Sequence, residues 1–243
     1  MCGKCSSIRR FQVSRRSMLR VTMSSAIALG LADTVAAQGA KTPPKPENVL
    51  SPDAALERLL SGNARYVKGD SLLHDFKHER EPLVGGQNPF AAVLGCADSR
   101  IAPEYAFDTA RGDLFVCRIA GNFASAESIA SLEYAVSVLA TPLILVLGHE
   151  DCGAVAATIK SLKDSTTLPG SLPSLVSAIA PSVTAVSEKP GNVLDNSIRQ
   201  NVIDNVAKLI LTTPILNTAV EQRKLKVVGG IYRLRDGQVE IVT

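Results

Sequence analysis

Two short stretches place reactive side chains directly behind apolar runs. In LGCADSRI, residues 94–101, a thiol, a carboxylate and a guanidinium alternate at Cys96, Asp98 and Arg100. In LGHEDCGAV, residues 147–155, an imidazole and a second thiol stand at His149 and Cys152 with two residues between them. Residues two apart in an extended chain project to the same side, so Cys96, Asp98 and Arg100 are expected to face one pocket at a strand end. Cys96 and His149 each follow an apolar run and a glycine, as VLGC and VLGH. The carboxyl ends of strands in an open parallel sheet share one edge, so residues this far apart in sequence can meet there. Two thiolates and an imidazole match the preferences of Zn²⁺, and three protein ligands leave a fourth position for water or substrate, which is the pattern of a catalytic site. A cysteine beside an apolar run is by itself more often a core residue, and a lone His-x-x-Cys arises by chance. The two patterns together carry the reading.

The segments that must position these groups alternate between strand-like and helix-like. FAAVLGC, DLFVCRI, LILVLGH and KVVGGIY are short β-branched runs, separated by the helical stretches SIASLEYAVSVL, GAVAATIKSL and NSIRQNVIDNVAKLIL. In the last of these, Ile198, Val202, Val206, Leu209 and Ile210 follow helical spacing. Strands separated by helices imply right-handed crossovers and an α/β fold with a mostly parallel central sheet flanked by helices. About four parallel strands are expected, plus an antiparallel edge strand, because Asp236 and Gly237 make a tight-turn signal inside the closing IYRLRDGQVEIV. Ahead of the sheet, Ser51 and Pro52 read as a helix N-cap and first turn, with Leu56, Leu59, Leu60 and Val67 on one side of the helix.

Composition sets the limits. With 243 residues and 46% hydrophobic content the chain can bury a core, and without tryptophan that core rests on Val, Leu, Ile and Ala. The formal charge of +3 is concentrated at the N-terminus: residues 1–37 hold Lys4, Arg9, Arg10, Arg15, Arg16 and Arg20 against Asp33. The remainder carries 20 basic and 22 acidic groups, a net of −2, which removes the electrostatic footing for a nucleic-acid partner. Residues 1–37 have the order of an export signal: a basic region, an apolar run and the small residues Val35, Ala36 and Ala37. SRRSMLR within them resembles a twin-arginine (Tat) motif, which points to the periplasm. The apolar run is too short and interrupted to span a membrane, so no membrane association is expected after signal removal. Residues 38–50, with Pro43, Pro44 and Pro46, have linker composition, and residues 51–243 form the expected domain.

CADSR and GHEDCG together resemble the signature of the β-class carbonic anhydrases. The resemblance runs from about residue 51 to the end of the sequence and includes RIAGN, SLEYAV and GGIYRLRDGQV, leaving out the leader. It implies that Cys96, His149 and Cys152 bind one Zn²⁺ per subunit and that Asp98 and Arg100 form a catalytic dyad. The implied reaction is the reversible hydration of CO₂ to bicarbonate, zinc acidifying a water for attack on carbon. Two thiolates offset the charge of the ion, so Asp98, held ionised by a two-pronged contact with Arg100, is expected to orient the nucleophile. Breaking that contact would free Asp98 to close the fourth metal position. The family also implies a homodimer or homotetramer, an ion pair of Arg118 at the subunit boundary, a cleft lined by the backbone around Gly121 and Gly153, and SIASLEYAV as an interface helix. A same-fold enzyme acting on CS₂ or COS, and a zinc-stabilised binding protein without turnover, are the alternatives; the second has no use for Asp98 and Arg100.

Gly153 is expected to permit close backbone approach at the start of a helix whose positive end favours a thiolate at Cys152. Glu150 and Asp151 add negative charge between ligands and would disfavour an approaching anion. Cys117 reads as a buried filler, and Cys2 and Cys5 fall in the leader. His74 and His78 are expected to be solvated among charged neighbours, and Glu127 and Glu133 to be surface or interface groups. Gly85, Gly86 and Asn88 form a loop that lacks the lysine of a phosphate cradle.

Overall fold

The computed structural model describes residues 42–243. The leader-like residues 1–37 and the first part of the linker, with Cys2 and Cys5, lie outside the described residues. Five strands, β1 (Ala91–Gly95), β2 (Leu114–Arg118), β3 (Leu143–His149), β4 (Lys226–Tyr232) and β5 (Val239–Ile241), form one sheet in the order β2-β1-β3-β4-β5. The first four are parallel, and β5 runs antiparallel to β4 at the edge. The helices are α1 (Pro52–Lys68), α2 (Pro103–Ala106), α3 (Ala126–Ser137), α4 (Gly153–Lys163), α5 (Leu172–Val186), α6 (Val193–Ile210) and α7 (Ile215–Glu221). Among the described residues, no helix is long and apolar enough to cross a membrane.

The near-continuous apolar strands are explained by burial on both faces. Ala92, Leu94, Ile144, Val146 and Val227 point into a cluster with α3 to α7. Their neighbours Ala91, Val93, Leu143, Leu145 and Val228 point into a second cluster with α1 and α2. The period of two thus divides the core between the faces. Register brings the site's carriers together: Gly95 pairs with Leu147 across β1 and β3, so Cys96 and His149 emerge from neighbouring strands at the same edge.

Ser51 caps α1, its hydroxyl accepting the Ala54 N–H at 3.3 Å. The buried face of α1 is Ala55, Leu59, Gly62 and Asn63, whereas Val67 is exposed and Leu56 and Leu60 are half-buried. Small residues win because the helix lies close to the chain beneath it: a Cβ on Gly62 would sit 1.9 Å from the Phe107 carbonyl oxygen. The packed body also begins before Ser51. Lys45 pairs with buried Asp113 and exchanges two hydrogen bonds with the Asn88 side chain, at 3.0 and 2.7 Å. The signal at Asp236 and Gly237 marks a turn, with Gly237 at φ +77°, but residues 233–238 separate the strands, a longer connection than a two-residue hairpin. Helices α5 and α7 lie outside the helical stretches picked out in the sequence, and α5 carries Pro181 in its interior.

Candidate metal centre

β1 stops at Gly95, and the chain then folds into a turn rather than continuing extended. Asp98 Oδ1 accepts the Arg100 N–H at 2.9 Å and the Asp98 carbonyl accepts the Ile101 N–H at 3.3 Å, so the aspartate side chain closes its own turn. This corrects the expected strand-like alternation, yet it unites the same pair. Arg100 Nε donates to Asp98 Oδ1 at 2.9 Å and Nη2 to Oδ2 at 2.7 Å, a two-pronged contact. The Arg100 guanidinium holds the Asp98 carboxyl well below the usual carboxylate range. Arg100 Nη2 also donates to the Asp151 carbonyl at 3.2 Å, tying this turn to the one after β3.

One ligand atom each of Cys96, His149 and Cys152 lies within 4.8 Å of the others, and all three residues are buried. His149 is fully enclosed. Its Nδ1 lies 2.7 Å from the Glu150 carbonyl, which can only accept, so Nδ1 carries the proton and Nε2 presents a lone pair. Nε2 has no hydrogen-bond partner in the protein, a costly condition for a buried nitrogen unless something else binds it. Asp98 Oδ2 lies 3.9 Å from that atom, so the dyad borders the cluster.

The two sulfurs titrate as a pair. The bond to Cys152 holds the Cys96 thiol far below its ordinary value, helped by His149 and by the N–H of Gly121. The same contact, with burial, pushes Cys152 up. Cys152 stands at the N-cap of α4, as expected from its place at the start of that helix. Burial alone would lower His149, and the nearby Cys96 sulfur, the Glu150 carbonyl and the charge of Asp98 raise it. Two adjoining sulfurs and an unpartnered imidazole nitrogen supply three soft donors, and zinc fits such a set with a fourth position left open.

Several expectations shift in place or role. Arg118, at the end of β2, donates from Nε to the Cys96 carbonyl at 2.8 Å and from Nη2 to the Asp98 carbonyl at 2.5 Å, splinting the ligand turn within its own chain. Glu150 faces away: Oε1 accepts Arg233 Nη1 at 2.8 Å and Oε2 accepts the Leu234 N–H at 3.0 Å, so its charge is compensated. A Cβ on Gly153 would meet nothing within 4 Å, so no protein packing demands glycine there. Gly121 is the demanding position, with φ +83° and a Cβ site only 2.5 Å from Ile179 Cδ1. Its N–H donates to Cys96 Sγ at 3.3 Å. Sequence reasoning did not find this bond, nor Asn201 and Asn205 behind it.

Cys117 is half-buried against the core, and burial pushes its thiol up. Glu127 is exposed and Glu133 half-buried on α3. His78 is solvated, but His74 is not: its ring lies 3.4 Å from Glu79 Oε1 and 3.7 Å from Asp108 Oδ1. A cavity of about 620 Å³ lined by His74, Phe76, Tyr105 and Asp108 lies beside it and includes none of the three ligand candidates.

A carbonic anhydrase family profile matches residues 91–239. The chain is 38% identical over 192 residues to a carbonic anhydrase of Mycolicibacterium smegmatis, covering 79% of this chain and 93% of that protein. It is 38% identical over 194 residues to carbonic anhydrase 2 of Mycobacterium tuberculosis, covering 77% and 91%. Among solved structures, the β-carbonic anhydrase CcaA superposes with a TM-score of 0.61 at 25% identity, over 77% of this chain and 87% of that one.

Proposed function

The chain belongs to the β class of the carbonic anhydrase family, and from that premise we propose that it hydrates CO₂ reversibly at a zinc ion held by Cys96, His149 and Cys152. The observation that carries the metal assignment is the buried, unpartnered Nε2 of His149 facing two sulfurs within 4.8 Å. Bound there, zinc would acidify a water so that a nucleophile for CO₂ exists near neutral pH.

The side chains around the ion have separate tasks. Asp98 is kept ionised, so at the cluster's edge it can accept a hydrogen bond from the attacking oxygen and turn that oxygen's lone pair toward carbon. Arg100 holds that carboxylate by both oxygens and is itself half exposed, which places a positive charge where an anionic product leaves. Arg118 fixes the Cys96–Asp98 backbone, so ligand and dyad keep one geometry.

Two further readings complete the proposal. On α3, Tyr134 is exposed beside half-buried Phe115 of β2, and Val138 just past the helix is exposed as well, apolar surface that suits a homodimer or a homotetramer. The basic, apolar and small-residue order of residues 1–37 supports Tat export to the periplasm and release of a mature enzyme starting in the linker. N-terminal sequencing of periplasmic protein checks the latter.

The test of the function is CO₂ hydration by the purified protein before and after chelation, with zinc content measured alongside. We expect one zinc per chain and turnover that disappears on chelation and returns with zinc. Turnover that survives complete metal removal would refute the reading.

A further inference from the structure

The loop of residues 119–125 connects β2 to α3 and passes between Cys96 and α6. At its tight point Gly121 is bonded in two directions. Its N–H donates to Cys96 Sγ at 3.3 Å, and its carbonyl accepts from Asn201 Nδ2 at 2.9 Å. One turn along α6, Asn205 Nδ2 donates to the Asn201 carbonyl at 2.7 Å and to Asn201 Oδ1 at 3.1 Å. The second of these bonds orients the Asn201 amide, because an Oδ1 turned to Asn205 leaves Nδ2 for Gly121. Asn205 Oδ1 in turn accepts the Ala124 N–H at 2.7 Å, and Lys208 Nζ donates to the Ala124 carbonyl at 2.6 Å.

Both asparagines are almost fully buried, at 1% and 6% exposure, among Val202, Val206 and Leu209 of the same helix. Asparagine is a poor helix interior residue, and burying an amide costs free energy unless its bonds are made. Holding the loop's junction with α3 explains the contacts to Ala124. It does not explain the contact to Gly121, whose N–H ends on the Cys96 sulfur. Glycine there is obligatory, with φ +83° and its Cβ position blocked by Ile179 and Ala154, and its free φ and ψ would otherwise let the peptide turn.

We propose that Asn201 and Asn205 are positioning residues of the metal centre: a buried amide relay that holds Gly121 so that its N–H bonds Cys96 Sγ and draws charge from that ligand. The inference rests on Cys96 being a zinc ligand. Two thiolates donate enough charge to blunt the acidity of a bound cation, and an N–H directed at one of them withdraws part of that donation.

The test uses the full chain loaded with Co²⁺, whose sulfur-to-cobalt charge-transfer band reports how strongly the thiolates donate. In Asn201→Leu the band moves to lower energy, and because the Gly121 peptide no longer holds the Cys96 ligand in place, zinc transfer from the zinc-loaded protein to a chelator accelerates by roughly tenfold. Asn205→Ala, which frees the Asn201 amide to rotate but keeps its donor, shifts both readings the same way by less, and it replaces Asn201→Leu should that variant not fold. Lys208→Met loosens the loop only at Ala124 and leaves band and transfer rate unchanged. A band unmoved in the asparagine variants, or moved equally by Lys208→Met, would overturn the proposal. Failure of the underlying assignment looks different: the unmodified protein would then show no sulfur-to-cobalt band at all.

Discussion

His149 and His74 each lie within 4 Å of a carboxylate, and what surrounds them differs in one respect. Around His74, Asp108 Oδ2 takes Arg65 Nε at 2.5 Å, Oδ1 takes the Leu72 N–H at 3.0 Å, and the imidazole fills the gap between Asp108 and Glu79. Bonding capacity there is used within the fold, and the result is a brace under the 69–89 segment. Around His149 the carboxylate is already held by Arg100, while Nε2 and the two sulfurs are buried and Nε2 has no hydrogen-bond partner. Similar residue types therefore make a brace where donors and acceptors balance and a binding centre where buried lone pairs are left over.

Removing a ligand should separate the two regions most sharply. Cys152→Ser is expected to lose zinc and to lower CO₂ hydration by about a thousandfold or more, seen by metal analysis and stopped-flow assay. Asp98→Asn follows, with turnover down by roughly a hundred- to ten-thousandfold and zinc retained. If zinc were lost as well, Asp98 would belong to the ligand set.

In the brace, Asp108→Asn should reduce unfolding free energy by about 1–3 kcal/mol in urea titrations while turnover stays within about twofold. The pH dependence has a defined sign. Burial raises the Asp108 pKa, but the Arg65 bond and the Leu72 N–H outweigh it and hold the carboxyl below its ordinary value. Its stabilisation is therefore present above the unfolded pKa of about 3.9 and fades as the pH falls through the lower folded value. Asp108→Asn should flatten that part of the acid limb. The smallest effect is expected from His74→Ala with His78→Ala: turnover unchanged at neutral pH by stopped flow. A marked loss would make the brace part of proton transfer and erase the contrast.

The sheet was legible because burial on both faces leaves continuous β-branched runs, and the cluster of candidate ligands because VLGC and VLGH end neighbouring strands of one parallel sheet. The face of α1 was legible only at Leu59, since helix–chain proximity at Gly62 favours Ala55 and Gly62 over Leu56, Leu60 and Val67. Helix α5 escaped because Pro181 interrupts the signal that periodicity gives. Asp98 and Arg100 were found for a reason the structure replaces, a side-chain-closed turn instead of an extended edge. Arg118 and the α6 asparagines act on backbone atoms of distant loops, and such partners leave no spacing to read in one sequence.

The assignment of Cys96, His149 and Cys152 as a mixed sulfur–imidazole centre is tested most directly by X-ray absorption at the zinc edge of the purified protein. The account predicts two sulfur scatterers at about 2.3 Å and imidazole nitrogen at about 2.0–2.1 Å. A zinc shell of nitrogen and oxygen alone would contradict it.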